Sequence, residues 1–298
     1  MRERLMKNKG RICLLVSAFI YGLAPILAKA AYSGGTKVVT LAFLRAFMTV
    51  PLLFILMKAE HRSLRLTKAE LKKVIILGVV GGAVSIILLY LSYSYISTGL
   101  ATTLHFVYPL IIVIASAVIY REKIQMLTVI SAILVTIGIF MFADINTVAD
   151  KIGIILALLS GVFYSFYVLY MDKSGLDSMD YLKLTLYTSL IMSIAIFIYG
   201  LAVDGISFEM APISWLYSLM ISLFVTLLAI PLFQAGVKYE GASMAGVLST
   251  AEPITTVILG AIFLSEPVGV GQYVGCLLIL GGVTAIQIKK FEKIEKNS

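Results

Sequence analysis

The sequence predicts an all-α polytopic membrane protein whose ten transmembrane helices form two inverted five-helix repeats. Three observations carry that expectation: a composition too apolar for a soluble domain, ten separate apolar runs of membrane length, and an internal repeat at an offset of 144 residues.

Hydrophobic residues make up 60% of the chain and charged residues 13%, with a mean hydropathy of +1.01. These values lie far from soluble-domain averages. A helix needs about 20 apolar residues to cross the hydrocarbon core, and such runs fall at 11–30, 37–57, 74–95, 98–119, 124–143, 152–171, 181–201, 212–235, 241–264 and 269–288. The runs are continuously apolar rather than alternating, which selects helices over a barrel. The longest polar interruption, residues 58–73, is too short to bury a core of its own. The first run reads as a full span with no convincing cleavage site. Cys13 and Cys276 both fall inside predicted spans. A disulfide framework is therefore not expected, and the cysteines do not report the redox compartment.

Net charge is +8, and its placement matters more than its size. With the N-terminus inside, 20 of the 24 Lys and Arg residues face the cytoplasm. Lys29, Lys37 and Lys151 fall outside, and Arg45 lies within a span. Because positive residues are retained on the cytoplasmic side, both termini are expected there, in a cytoplasmic membrane. The basic loop at 58–73 and the C-terminal KKFEKIEK read as topology determinants that touch lipid headgroups, not as a nucleic-acid site.

Residues 95–138 align without a gap to 239–282, with ten of 44 positions identical, including Tyr95 with Tyr239, Pro109 with Pro253, Glu122 with Glu266 and Gly138 with Gly282. A weaker echo at offset 143 pairs Gly10, Ser17 and Tyr21 with Gly153, Ser160 and Tyr164. The expected halves are residues 1–147 and 148–298, integrated in one membrane domain. Five is odd, so the second half crosses in the opposite sense. The basic REK at 121–123 has the non-basic SEP as its counterpart, as the charge rule requires of an inverted pair. Inverted repeats are a recurrent transporter architecture with the substrate site near mid-membrane.

Ten spans, duplicated halves and a proline followed 13 residues later by glutamate in the fourth and ninth spans together resemble the EamA-type transporters of the drug/metabolite transporter superfamily. The likeness covers essentially the whole chain. It implies a proton-driven or gradient-driven carrier of small metabolites, commonly an exporter of amino acids or related compounds.

Three ionisable residues sit deep in predicted hydrocarbon: Arg45, His105 and Glu252. A charge near the bilayer centre costs about 2.5 to 3.5 kcal/mol on insertion scales, so each should face protein or a watery cavity. Glu252 precedes Pro253, whose ring removes a backbone hydrogen bond and opens the helix beside the carboxyl; Pro109 does the same beside Tyr108. A carboxyl in apolar surroundings can exchange a proton in the physiological range, as proton coupling requires. Arg45 offers a planar fork of donors to an anionic group, or braces Glu252. His105 can relay protons, or stand neutral and hydrogen-bonded to a neighbouring helix.

Tyr95, Tyr120, Tyr199, Trp215, Tyr217 and Tyr239 read as interfacial aromatics. Tyr21, Tyr90, Tyr108, Tyr164, Tyr167 and Gln234 fall deeper, where they either line a path for an amphipathic solute or simply pack helices. Glu122 and Glu266 start new helices and complement their dipoles. Gly78 with Gly82 and Gly271 with Gly275 have the spacing that lets helices approach closely within one chain.

No zinc-protease, paired-cysteine, phosphate-loop or dinucleotide motif is present, and residues 241–245 only approach a nucleophile elbow. Neither enzyme activity, nor a metal, nor a cofactor is expected. The leading expectation is a secondary carrier that moves a small polar or amphipathic metabolite outward by alternating access, with protons as the candidate coupling ion. The alternative is a receptor or assembly subunit on the same scaffold without net flux. Monomer and dimer stay equally open.

Overall fold

The computed structural model describes residues 2–120, 126–141, 148–249, 251–265 and 269–297. Glu122, Glu266 and the loops that carry them lie outside the described residues. What is described is helical, and no strand occurs among these residues.

Among the described residues, six helical runs are long and apolar enough to cross a bilayer: Lys9–Ser33, Val38–Ala59, Lys68–Ser92, Asp150–Met171, Tyr181–Ala202 and Pro212–Gly236. The first belongs to α1 (Arg2–Ser33). The second is α2 (Val38–Phe47) joined to α3 (Thr49–Ala59) through a bend at Met48. Pro51 explains that bend, since it has no N–H to give the Phe47 carbonyl one turn back. The third starts as α4 (Lys68–Ile76) on a capping box, Thr67 accepting from the Glu70 N–H while the Glu70 carboxylate accepts from the Thr67 N–H. It widens to a π-helical turn at Leu77–Ala83 and continues as α5 (Val84–Ser92).

The fourth span, expected to open at Pro109, is interrupted just before it, at Phe106 and Val107. It is two half-helices, α6 (Thr98–His105) and α7 (Tyr108–Tyr120). Ser97 caps α6 through the Leu100 N–H. Pro109 sits in the first turn of α7, where a missing N–H costs little because first-turn donors have no helical acceptor anyway. Then follow α8 (Met126–Phe140), α9 (Val148–Lys173), which stops before left-handed Gly175 (φ 78°), and α10 (Tyr181–Ala202), capped by Asp180 on the Lys183 N–H.

The eighth span is α11 (Pro212–Ile221), a second π-helical turn at Ser222–Ala229, and the start of α12 (Ile230–Ser249). The two π-helical turns begin at residues 77 and 222, 145 apart and close to the repeat offset. Helical backbone continues through Ser249, yet the chain reverses within α12. Ser214 contacts Ala31, Ser17 contacts Ala229, and Gly236 abuts Gly10 and Leu14, so the chain descends α1. By Thr255 it is back beside Gly22. The ninth span includes α13 (Ala251–Phe263), which carries Pro253. The tenth lies in α14 (Val270–Asn297).

Packing interleaves the halves. α1 runs along α11 to α13, α9 along α5 to α7, α10 along α2 and α3, and α8 along α14. Small residues permit this. A methyl on Gly138 would sit 2.8 Å from the Gly275 carbonyl, and one on Gly82 would sit 2.6 Å from Met192 Sδ. Gly78 meets Ile191, and Gly271 faces the Met141 carbonyl, so both glycine pairs are used inside the chain. Buried hydroxyls tie spans together, Ser85 to the Ser160 carbonyl (2.9 Å) and Thr256 to the Gly22 carbonyl (3.2 Å) among them. Val118, Ile119, Ile155 and Leu277 point outward, the apolar exterior of a lipid-facing bundle.

Candidate functional site

The break ahead of Pro109 and the part of α13 that carries Pro253 lie among the deep polar residues. Arg45 is near the end of α2, three residues before the bend at Met48. Its carbonyl accepts from Ser222 (3.0 Å), Thr226 (3.4 Å) and Thr49 (3.2 Å). The first two belong to the π-helical turn of the other half, so the second repeat fixes the backbone of a first-repeat arginine. Arg45 Nη1 donates to the Tyr90 hydroxyl at 3.2 Å, with the guanidinium carbon 5.7 Å from the centre of the same ring. Tyr32 holds Tyr90 from behind by donating to its carbonyl (3.2 Å).

Glu252 lies on α13, immediately before Pro253. α1 approaches closely here: a methyl on Gly22 would lie 2.9 Å from the Glu252 carbonyl. Glu252 is within electrostatic range of Arg45, Tyr21, Tyr93, Tyr108 and Tyr164. Yet Arg45 gives its hydrogen bond to Tyr90 and not to Glu252, and the two charges form no ion pair within 4.0 Å. Arg45, Glu252, Tyr21, Tyr164 and Tyr167 each keep intermediate accessibility although they sit mid-bundle, as residues lining an internal space do.

His105 ends α6. Its Nδ1 is 2.8 Å from Ser160 Oγ, whose own proton goes to the Ala157 carbonyl (2.6 Å). Serine has one proton to give, so the imidazole is the donor, and its Nε2 is left as an acceptor in the neutral ring. The ring begins an aromatic chain: Tyr164 lies 5.2 Å away, Tyr108 packs edge-on to Tyr164 at 4.7 Å, and Tyr164 stacks on Tyr167 at 5.8 Å. Ser165 donates to the Tyr108 carbonyl at 3.1 Å, fixing the start of α7. Gln234, on α12, has its Oε1 buried with no hydrogen-bond partner among the described residues.

The structure thus brings Tyr21, Arg45, Tyr90, Tyr108, Tyr164 and Glu252 to one region, with His105 and Tyr167 continuing it along α9. Sequence reading missed Tyr93, which is 3% exposed and packs at 5.7 Å from Tyr90. The signal was available, since residues three apart share a helix face. It also missed Ser222 and Thr226, because small hydroxyls in apolar runs carry no distinctive pattern, and it found Ser160 only as the repeat partner of Ser17. Tyr95, Tyr199, Trp215 and Tyr239 are substantially exposed, as interfacial residues should be, whereas Tyr217 packs partly against the core. Among the described residues no cluster of three His, Cys, Asp or Glu side chains is placed to hold a metal ion.

Comparison with known proteins agrees with this architecture. An uncharacterized transporter of Archaeoglobus fulgidus is 27% identical over 227 residues, covering 76% of this chain and 81% of its own. The uncharacterized transporter YcbK of Bacillus subtilis is 26% identical over 300 residues, covering 96% and 95%. One crystal structure shares the fold with a TM-score of 0.70 at 16% identity, over 94% of this chain and 98% of that one. The model of the EamA-like transporter family matches twice, at residues 8–143 and 151–287, and the chain belongs to that family.

Proposed function

We propose that this transporter exports a small zwitterionic or amphipathic metabolite, an amino acid or a close relative, by alternating access. Coupling is to protons through Glu252. Residues 1–147 and 148–298 act as the two rocking repeats, in a cell membrane with both termini cytoplasmic.

The observation that carries this reading is an arginine and a glutamate, both partly accessible from an internal space, that share one tyrosine-lined region without pairing with each other. Unneutralised charge is costly in hydrocarbon, and a solute bearing a carboxylate and an ammonium group would satisfy both. Arg45 suits the carboxylate by its planar donor fork. Glu252 and the tyrosine faces suit the ammonium group. Proton binding to Glu252 then competes with the ammonium group for the same carboxylate, which couples the two ligands without a second site. Direction follows from the gradients, since a carrier of this kind is reversible.

Counterflow in proteoliposomes tests the proposal. The purified protein, loaded with unlabelled amino acid, should accumulate the labelled form saturably, and neither the amino-acid methyl ester nor the N-acetyl derivative should compete. Saturable binding without counterflow would instead favour a receptor or assembly role. Equal competition by the two blocked derivatives would remove the zwitterion from the reading.

A further inference from the structure

Away from the central residues, a groove of about 630 Å³ opens on the outer surface where α3 meets α10. Phe47, Pro51, Phe54, Leu64, Leu186 and Leu190 are among its lining residues. Its origin is local. Pro51 bends the second span, and α3 then meets α10 through Leu53, Met57, Leu182 and Leu186, leaving a trough beside that seam. Tyr187 closes one end by donating to the Leu64 carbonyl at 2.5 Å.

The basic end of the bundle borders the same trough. Lys58 Nζ stands 5.8 Å from the centre of the Phe54 ring, itself part of the lining. Arg65 adjoins Leu64, another lining residue. Both cations are exposed and neither has an ion-pair partner among the described residues. Arg62 between them is already committed to Glu60 and Asp180. An apolar trough at membrane depth that ends beside two unneutralised cations matches one class of molecule, an acyl chain carrying an anionic headgroup.

We propose that this groove is a binding site for an anionic phospholipid, with an acyl chain along the α3–α10 seam and the phosphate on Lys58 and Arg65. The site joins one helix of each repeat. A bound lipid would therefore bridge the two bodies that move against each other.

The test is native mass spectrometry of the protein released from nanodiscs containing equal phosphatidylglycerol and phosphatidylcholine. The wild type should retain one phosphatidylglycerol in clear preference. Lys58→Ala/Arg65→Ala should bring the two retained lipids to parity, whereas Lys68→Ala/Lys72→Ala, exposed basic residues outside the lining, should keep the preference. Val50→Trp, which fills the groove, should lose the retained lipid of either kind; Leu190→Trp on the facing wall gives the same reading should the first variant fail to fold. Equal retention by the wild type, loss of preference in Lys68→Ala/Lys72→Ala, or an undiminished lipid count in the folded tryptophan variants would each overturn the site.

Discussion

The Arg45 guanidinium takes both the hydroxyl and the π-system of Tyr90, donating at 3.2 Å and lying 5.7 Å from the ring centre. Tyr90 is only 1% exposed, so its ring is held by packing whether or not the hydroxyl is present. Tyr90→Phe keeps the ring and deletes the hydroxyl. The expected cost is about 0.6 to 1.7 kcal/mol in stability, the range for hydrogen bonds within membrane bundles. Transport should show a raised KM with kcat less affected, because Arg45 loses its orientation and keeps its charge. Arg45→Lys should not restore binding, since a point charge replaces a planar fork. Thermal unfolding in detergent together with counterflow kinetics checks both variants.

Glu252 sets the expected pH response. If proton and substrate ammonium compete for one carboxylate, acidifying the side where substrate binds should slow flux, and acidifying the side where it is released should speed it. Glu252→Gln mimics the protonated state permanently. It should insert normally, yet lose substrate flux and its response to an imposed pH gradient. Wild-type flux with unchanged pH dependence would remove Glu252 from the mechanism.

The extent to which the chain could be read from its residues divides along physical lines. Span positions were legible because hydropathy over about 20 residues averages out local detail. Arg45, His105 and Glu252 were legible because charge in hydrocarbon is rare enough to stand out. The partners were not. Whether Arg45 turns to Tyr90 or to Glu252 depends on how two repeats dock. Ser222 and Thr226, which hold the Arg45 carbonyl from 177 and 181 residues away, are ordinary residues of an apolar run. Pro109 announced a kink, but that it opens a new half-helix depends on the surrounding helices covering the freed backbone groups.

His105 poses a choice that its hydrogen bond helps to decide. Donation from Nδ1 to Ser160 assigns it to joining α6 to α9 as a neutral ring. His105→Gln, which retains a donor, should then leave the pH profile of transport in place. Ser160→Ala should cost stability of about 1 to 3 kcal/mol by stranding a buried donor. A pH profile displaced in His105→Gln would make the ring part of the proton path.

Glycine contacts give a sharper structural test, because the cost follows from distance. A methyl on Gly22 would meet Thr255 Cβ at 2.6 Å, next to Glu252, and one on Gly161 would meet the His105 carbonyl at 2.7 Å. Both obstacles are too rigid to yield cheaply. Gly22→Ala and Gly161→Ala should therefore separate α1 from α13 and α9 from α6, lowering Tm and abolishing transport. Gly281 has open space around its missing Cβ, so Gly281→Ala should leave both unchanged.

Inverted threading is the relation from which the central location of Glu252 and Pro109 follows, and it can be probed without function. Glu122 and Glu266 correspond across the repeat offset of 144 residues, and an odd number of spans in each half puts them on opposite sides of the membrane. In a cysteine-free background, Glu122→Cys should react with a membrane-impermeant maleimide only after the cytoplasmic face is opened. Glu266→Cys should react in intact cells. Replacing Cys13 and Cys276 with alanine supplies that background, and retained counterflow verifies that it folds. Labelling of both sites from one face would make the halves parallel and overturn the inverted threading.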